Sequence, residues 1–223
     1  SRAVVTLADG QQIVLEQANR KIEESDGTVL HSDSGALVYT ANAEKTVAKV
    51  MYNKVSIPRG GEYRLELADG TKVWLNAATE LRFPVNFTGD MREVYLKGEA
   101  YFQVKRDEKH PFIVHTSMGA VEVLGTSFNV RDYEDEREVV TTLETGKVMY
   151  VSGNTREKVT LNPGYQVLEK ESSPVEVRKV DPEQYTGWRE GKYVFEDVTL
   201  EDIMRTLCRW YDIDVVYADP TVK

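Results

Sequence analysis

The sequence predicts a mainly β fold, in which a β-solenoid or sandwich-like domain precedes a small strand–helix–strand (βαβ) module. Between positions 59 and 168, segments with an apolar residue at every second position alternate with turn signals about every eight to twelve residues, as in β-sandwiches, barrels and solenoids. Glycines recur there at intervals of about twenty residues, which favours a solenoid-like coil. A helical period occurs only near the C-terminus.

The composition is that of an ordinary soluble protein. Of 223 residues, 41% are apolar and 29% are charged, so a real core is expected. The net charge is −9 and no basic tract occurs, which argues against nucleic acid as a partner. Cys208 is the sole cysteine and has no internal disulfide partner. No apolar run reaches the ~18–20 residues that span a bilayer and no leader precedes Ser1, so we expect a part of a longer polypeptide whose membrane anchor lies elsewhere.

Residues 1–54 are predicted to form a β-rich arm that adds strands to the following domain. Residues 4–15 have the pattern of a hairpin around Asp9-Gly10, a dipeptide that tolerates the positive φ of a tight turn. The tetrapeptide Leu-Ala-Asp-Gly occurs at 7–10 and again at 67–70, which indicates that one supersecondary unit is used twice.

Residues 55–170 are predicted to form the all-β domain, and residues 171–187, with two prolines and many charges, a linker. The strands predicted in the domain are 81–83, 94–96, 100–104, 112–115, 139–143, 148–151 and 165–168.

Residues 188–223 are predicted to form the partial βαβ module, with strands at 192–195 and 213–217 around a helix at 200–211. Thr199 is the predicted N-cap, with Asp202 three residues further on. One helix face is polar, and the other carries Leu200, Ile203, Met204, Leu207, Cys208 and Tyr211. So small a module either packs on the β domain or lacks its other half.

No residues have the spacing of a catalytic, cofactor or metal site, so the sequence predicts a protein that is not an enzyme. His110 and His115 lie five residues apart and His31 lies in a polar turn, which predicts surface or structural histidines. The acidic run at 132–138 is interpreted as a solvated hairpin tip, with calcium binding as the alternative.

Several blocks in order resemble one known family. They are GEAYFQV (98–104), HPFIVHT (110–116), VLGTSFNV (123–130), TTLETGKVMYV (141–151) and LNPGYQV (161–167). These blocks resemble the periplasmic domain of FecR-like anti-sigma factors, in the form found in Bacteroidetes-type bacteria. Residues 187–217 resemble the first half of the C-terminal domain of these proteins, which is similar to the short N-terminal domain of secretins and TonB-dependent receptors.

The resemblance implies the periplasmic part of a single-pass inner-membrane signal transducer. In this family the periplasmic part senses the signalling domain of an outer-membrane TonB-dependent receptor, and a cytoplasmic segment holds an extracytoplasmic-function sigma factor. The sequence departs from this layout, because it lacks the sigma-binding segment, the membrane helix and the end of the C-terminal domain. Contact with the sigma factor and the membrane is therefore expected only through the missing segments. A homodimer formed by exchange of the truncated module is a further possibility.

The predicted partner-binding surface lies on the last module, where strand addition would supply backbone hydrogen bonds. Its residues are Arg205, Arg209, Trp210, Asp212, Asp214 and Tyr217. A different class of function is a carbohydrate-binding or carbohydrate-active β-solenoid, which requires a groove with surface aromatics and, for hydrolysis, a facing carboxylate pair. A cupin-like metal enzyme is disfavoured because paired histidines are missing.

Overall fold

The computed structural model describes residues 2–15, 20–24, 27–33, 36–40 and 50–219. In chain order, the strands are β1 (Val4–Thr6), β2 (Gln12–Val14), β3 (Arg20–Glu23), β4 (Val29–Asp33), β5 (Ala36–Thr40), β6 (Tyr52–Ile57), β7 (Tyr63–Glu66), β8 (Lys72–Leu75), β9 (Thr79–Pro84), β10 (Arg92–Gln103), β11 (Phe112–His115), β12 (Gly119–Val123), β13 (Ser127–Asp132), β14 (Glu138–Thr145), β15 (Val148–Ser152), β16 (Lys158–Leu161), β17 (Tyr165–Lys170) and β18 (Glu176–Lys179). Helix α1 (Glu183–Thr186), a 3₁₀ helix (Gly187–Glu190) and α2 (Leu200–Tyr211) follow. Of the helices in these ranges, none is both long and apolar enough to cross a bilayer.

The strands form two sheets that share β10. Sheet A has the order β2-β1-β6-β9-β10-β11-β12-β15-β16. Sheet B has the order β3-β4-β5-β7-β8-β10-β13-β14-β17-β18. The first half of β10, up to Lys97, pairs with β9 and β11, whereas the second half, from Gly98, pairs with β8 and β13. Gly98 has a φ of 105°, a value that favours glycine, and it marks the point where the strand changes sheets.

One hydrophobic core lies between the sheets. Along β6, half-buried and buried residues alternate, as expected for a strand with one face on a core. The core is continuous from Val5 and Val55 of sheet A to Leu65, Phe102 and Phe128 of sheet B. Burial of each such side chain contributes about 1.5–3 kcal/mol relative to an exposed position. The predicted mainly β fold is therefore confirmed.

The solenoid part of the fold prediction is not confirmed. Among the described strands, only the pairs β10–β11 and β5–β7 are parallel, and the other pairs are antiparallel. A β-solenoid instead stacks parallel strands from successive coils. Two sheets around one core correspond to the sandwich-like alternative.

The two Leu-Ala-Asp-Gly segments form the same hairpin turn, as predicted. Gly10 and Gly70 have φ values of 90° and 83°. In both turns the leucine N–H donates to the carbonyl oxygen four residues later, at 2.9 Å, and the glycine N–H donates back to the leucine carbonyl oxygen. The first turn joins β1 to β2 and the second joins β7 to β8.

The structure places strands in both segments that flank the predicted β domain. In the predicted arm, β1 joins sheet A and β5 pairs with β7 of sheet B, while residues 41–49 lie outside the described residues. Strand β6 belongs to sheet A and crosses the predicted boundary between residues 54 and 55. His31, predicted in a polar turn, lies within β4. The predicted linker, residues 171–187, contains β18, which extends sheet B, and α1.

In the predicted βαβ module the helix forms and the strands do not. Helix α2 has the predicted bounds, and the Thr199 hydroxyl accepts a hydrogen bond from the Asp202 N–H. Residues 192–195 and 213–217 are not strands in the structure, so that part of the prediction is wrong. Alternating apolar residues form a strand only where a neighbouring strand accepts their backbone hydrogen bonds. Here the Tyr193 ring instead stacks on Phe195 and packs at a tilt against Trp210.

Candidate functional site

Helix α2 docks on the β region with its polar side. Its buried residues are Thr206 and Arg209, which lie on the face opposite to the apolar stripe. The stripe stays half-buried or exposed, and Tyr211 at its end is 63% exposed. An amphipathic helix ordinarily buries its apolar stripe, so this orientation is reversed.

Arg209, predicted to bind a partner, is engaged within the molecule. Its two terminal nitrogens lie 2.7 Å from a Glu136 oxygen and 2.5 Å from an Asp135 oxygen. The guanidinium also lies over the Tyr133 ring, 3.7 Å from the ring centre. Only 9% of the side chain is exposed, so Arg209 is not free to meet another protein in this conformation.

Arg131 on β13 connects this contact to the sheet. Its Nε and Nη2 atoms donate to the two oxygens of Glu136 at 2.7 and 2.6 Å, and Nη1 donates to Glu99 at 3.1 Å. Nη2 also donates to the hydroxyl of Thr206 on α2, at 3.1 Å. We call Glu99, Arg131, Asp135, Glu136 and Arg209 the ionic cluster.

Within the ionic cluster, Glu136 and Arg131 keep each other charged. Burial raises the pKa of the Glu136 carboxyl, but the hydrogen bonds and charges of Arg131 and Arg209 lower it by more than burial raises it. The pKa of Glu136 therefore lies below its ordinary value. Burial lowers the pKa of Arg131, but Glu99 and Glu136 raise it above its ordinary value. Burial and the charge of Glu99 raise the pKa of Tyr133, whose hydroxyl donates to the Ala77 carbonyl oxygen at 2.8 Å. Glu136 and Arg131 are therefore both ionised near neutral pH.

A second anchor holds the C-terminal end of α2. Arg59, between β6 and β7, donates to the Cys208 carbonyl oxygen at 3.3 and 3.1 Å and pairs with Asp214 at 3.0 Å and Asp212 at 3.4 Å. The Gly60 N–H donates to the Arg209 carbonyl oxygen at 2.7 Å. A cation and a donor at this end satisfy terminal carbonyl groups and complement the helix dipole. Asp214 remains 90% exposed despite its pair with Arg59.

The other predicted partner-binding residues lie around the same helix. Arg205 donates to the Asp135 carbonyl oxygen at 2.8 Å and pairs with Asp202 at 2.9 Å. The ring of Trp210 packs against Tyr193 with 4.3 Å between ring centres. Tyr217 lines a cleft of about 750 Å³ between α2 and the β region. The structure thus brings the six residues together, with Arg209 facing inward and Asp214 facing outward.

Exposed apolar side chains concentrate in this C-terminal part. Half of the large apolar side chains that are exposed in the described chain lie between residues 194 and 216. They are Val194, Val198, Leu200, Tyr211, Ile213 and Val216. Val216 is the most exposed of them, at 91%. We call these six residues the apolar surface; large exposed apolar patches mark interaction sites more often than catalytic ones.

Sequence reasoning missed the buried polar residues beneath this part of the chain. The two oxygens of Glu99 accept from Asn129 and Asn76, each at 2.9 Å, and the Trp188 indole donates to Asn129 at 3.0 Å. The sequence contains a signal for the buried Glu99, because the GEAYFQV block in β10 places this carboxylate between Gly98 and Ala100 in an otherwise apolar run. In the structure residues 98–102 are all buried, because the C-terminal segment covers the outer face of sheet B there.

Two of the remaining candidate groups, His110 and His115, contact carboxylates at the surface. His110 lies 2.7 Å from Asp107, and His115 lies 3.0 Å from Glu93. Within the part of the chain that the structure describes, no three His, Cys, Asp or Glu side chains are grouped as a metal site requires. The acidic run at 132–138 is only partly the predicted solvated tip, because Glu136 is 14% exposed and pairs with two arginines.

Comparisons with known proteins agree with this architecture. The sequence profile described as "FecR protein" matches residues 53–149, and the profile described as "FecR, C-terminal" matches residues 192–223. No protein of curated function matches the chain.

Two crystal structures, each of a candidate anti-sigma factor from Parabacteroides distasonis, are similar to this chain. The first has 33% sequence identity and a TM-score of 0.70, over 76% of this chain and 82% of that one. The second has 34% identity and a TM-score of 0.68, over 71% of this chain and 74% of that one. Because the first is more than 30% identical over most of both chains, this chain belongs to the family of FecR-like anti-sigma factors.

Proposed function

We propose that this chain is the periplasmic part of a transmembrane anti-sigma factor. In this proposal it senses the signalling domain of an outer-membrane TonB-dependent receptor and controls an extracytoplasmic-function sigma factor through a cytoplasmic segment. Family membership supports a regulatory role, with protein contact rather than catalysis as its work. The resemblance of the C-terminal module to the short N-terminal domain of secretins and TonB-dependent receptors stays a prediction.

The observation that carries the proposal is the reversed orientation of α2. Its polar side is held by the ionic cluster, so its apolar stripe stays half-buried or exposed and the apolar surface faces solvent. Exposed apolar side chains lose contact with water when a partner covers them, which supplies binding free energy. Asp212 and Asp214 beside them would form a polar rim, as in other transient interfaces.

We infer that the receptor domain contacts the apolar surface together with the exposed residues Asp212 and Asp214 and the half-buried Tyr217. Trp210 and Arg205 lie at its edge, where the first packs on Tyr193 and the second pairs with Asp202. Arg209 supports the surface from below rather than touching the partner. Residues 213–217 are not paired in a sheet, which leaves room for the strand addition expected from the sequence.

Calorimetric titration with signalling domains of TonB-dependent receptors from the same genome tests the proposal. Tyr211→Ser and Val216→Ser should each weaken binding by about 10-fold or more if these residues lie in the core of the interface. Tyr165→Ser and Val177→Ser are matched controls, because these residues are exposed on β17 and β18, and they should bind like the natural chain. Absence of binding by the natural chain would contradict the proposal.

A further inference from the structure

The attachment of α2 is separate from the hydrophobic core. Among the described residues, the core cluster runs from Ala3 to Val167 and includes no residue of α2. The buried side chains of α2 are instead polar, and they contact the ionic cluster. Because burial of apolar surface is the main source of stability, the sheets do not depend on α2 for theirs.

Glu136 connects helix α2 to sheet B. Its Oε1 atom accepts hydrogen bonds from Arg131 on the sheet, at 2.6 Å, and from Arg209 on the helix, at 2.7 Å. One largely buried carboxylate therefore bridges two guanidinium groups that belong to different elements. If its charge were lost, the two arginines would repel each other, with Glu99 and Asp135 as their remaining partners.

We propose that Glu136 and its two arginines act as an ionic latch, which holds α2 with its apolar stripe outward and opens without unfolding of the two sheets. When the latch is closed, the apolar surface is fixed in position for a partner. When it opens, α2 stays tied at its C-terminal end by Arg59 and Gly60 but can turn about that point, and the apolar surface is no longer preorganised. The latch thus regulates the surface to which the proposed function assigns receptor binding, and this regulatory role rests on the proposed function.

Hydrogen exchange of the full chain tests the latch without any partner. In Glu136→Gln the carboxylate becomes a neutral amide of the same shape, so the backbone amides of α2 should exchange about 10- to 100-fold faster, as expected for loss of hydrogen bonds to a charged group. Amides of β14, which belong to sheet B, should keep their natural rates. Glu134→Gln is the matched control, because Glu134 lies in the same loop and pairs at the surface with Lys97.

Arg209→Gln opens the latch from the helix side and should give the same pattern. Cys208 on α2 supplies a second readout, since a thiol reagent should label it faster in both variants than in the Glu134→Gln control. Unchanged exchange of α2 in Glu136→Gln and Arg209→Gln would overturn the proposal. Equal acceleration in α2 and β14 would also overturn it, because the latch would then be part of the global fold.

Titration with the receptor signalling domain separates this proposal from the proposed function. If the variants release α2 and the natural chain binds no receptor domain, the latch stands and the proposed function fails. If the natural chain binds the receptor domain, and both variants show the same α2 amide exchange and the same affinity as the natural chain, the proposed function stands and the latch fails. We expect binding by the natural chain and about 10-fold weaker binding by both variants, because ordering α2 again consumes part of the binding free energy.

Discussion

Gly98 occupies a position where no other residue is accommodated without change. A Cβ atom there would lie 2.5 Å from the Thr79 hydroxyl oxygen and 2.7 Å from the Thr79 Cα atom. Its positive φ adds the usual penalty for a left-handed backbone. The bend that lets one strand serve two sheets therefore depends on the missing side chain of this residue.

Gly98→Ala should lower the free energy of unfolding by about 2–5 kcal/mol, as the sum of left-handed strain and overpacking. Gly70→Ala is the matched control, because Gly70 also has a positive φ but has no atom within 4 Å of a Cβ. It should cost only about 1–2 kcal/mol. Urea denaturation measures both values, and equal losses would show that the close approach to Thr79 does not matter.

Local signals at single residues were predictable, and distant pairs were not. Asp9-Gly10 predicts its turn because the dipeptide itself favours the required backbone angles. Glu99 and Arg131 form an ion pair because the register of β10 and β13 places them directly opposite each other, 32 positions apart in the chain. No spacing rule within one sequence reveals that register, so this part of the site was missed.

At the level of elements, helix α2 also has local features that the sequence predicts and long-range contacts that it does not. Its bounds follow from the Thr199 cap and the helical period, which are local, and the structure reproduces them. The face by which it docks is decided by Glu136 and Arg131, which lie more than sixty positions earlier in the chain. The apolar stripe therefore predicted the helix correctly but gave no information about which side meets the sheet.

Acid should release α2 before the sheets unfold. The pKa of Glu136 is lowered in the folded chain, so its ionised form stabilises the docked helix fully above its ordinary pKa of 4.5, and this stabilisation is lost as the pH falls through the lowered value. Arg131 and Arg209 face the carboxylate from β13 and α2, and Glu99, Asp135 and Tyr133 complete its charged and titratable surroundings.

The measurement is the ratio of amide protection in α2 to that in β14 between pH 7 and pH 3, which cancels the intrinsic pH dependence of exchange. The ratio should fall on acidification in the natural chain. It should be low already at pH 7 in Glu136→Gln and change little with pH. An equal fall in both proteins would assign the acid response to another carboxylate.

At the level of the whole molecule, the sequence predicts the class of fold but not its topology. Alternating apolar positions define strands wherever one face is buried, which is why β9, β11, β14, β15 and β17 match their predicted positions within a few residues. Glycine spacing was interpreted as the period of a coil, whereas several of these glycines lie where antiparallel strands turn or bend. The order of strands within a sheet depends on contacts between distant segments, which the spacing of turns does not encode.

The strands at the N-terminus and those of the central domain should unfold in one transition. Val5 on β1 is fully buried in the shared core, so Val5→Ala should cost about 2 kcal/mol and shift a single urea midpoint. Circular dichroism and tryptophan fluorescence should report the same midpoint. Val216→Ala, at a residue that is 91% exposed, should leave the midpoint unchanged. Two separate midpoints in Val5→Ala would indicate an N-terminal unit that unfolds on its own.

The passage of β10 through both sheets has a mechanical consequence. The two layers share one continuous strand there, whereas neighbouring strands within a layer are held side by side by hydrogen bonds, with a turn closing one end of each hairpin. A load that tends to slide one layer over the other is thus carried along the axis of a single peptide backbone, which resists extension far more strongly than a hydrogen-bonded edge resists peeling. Tension that reaches the sheets from the C-terminal side would therefore strip the edge strand β18 before it reaches the crossing point.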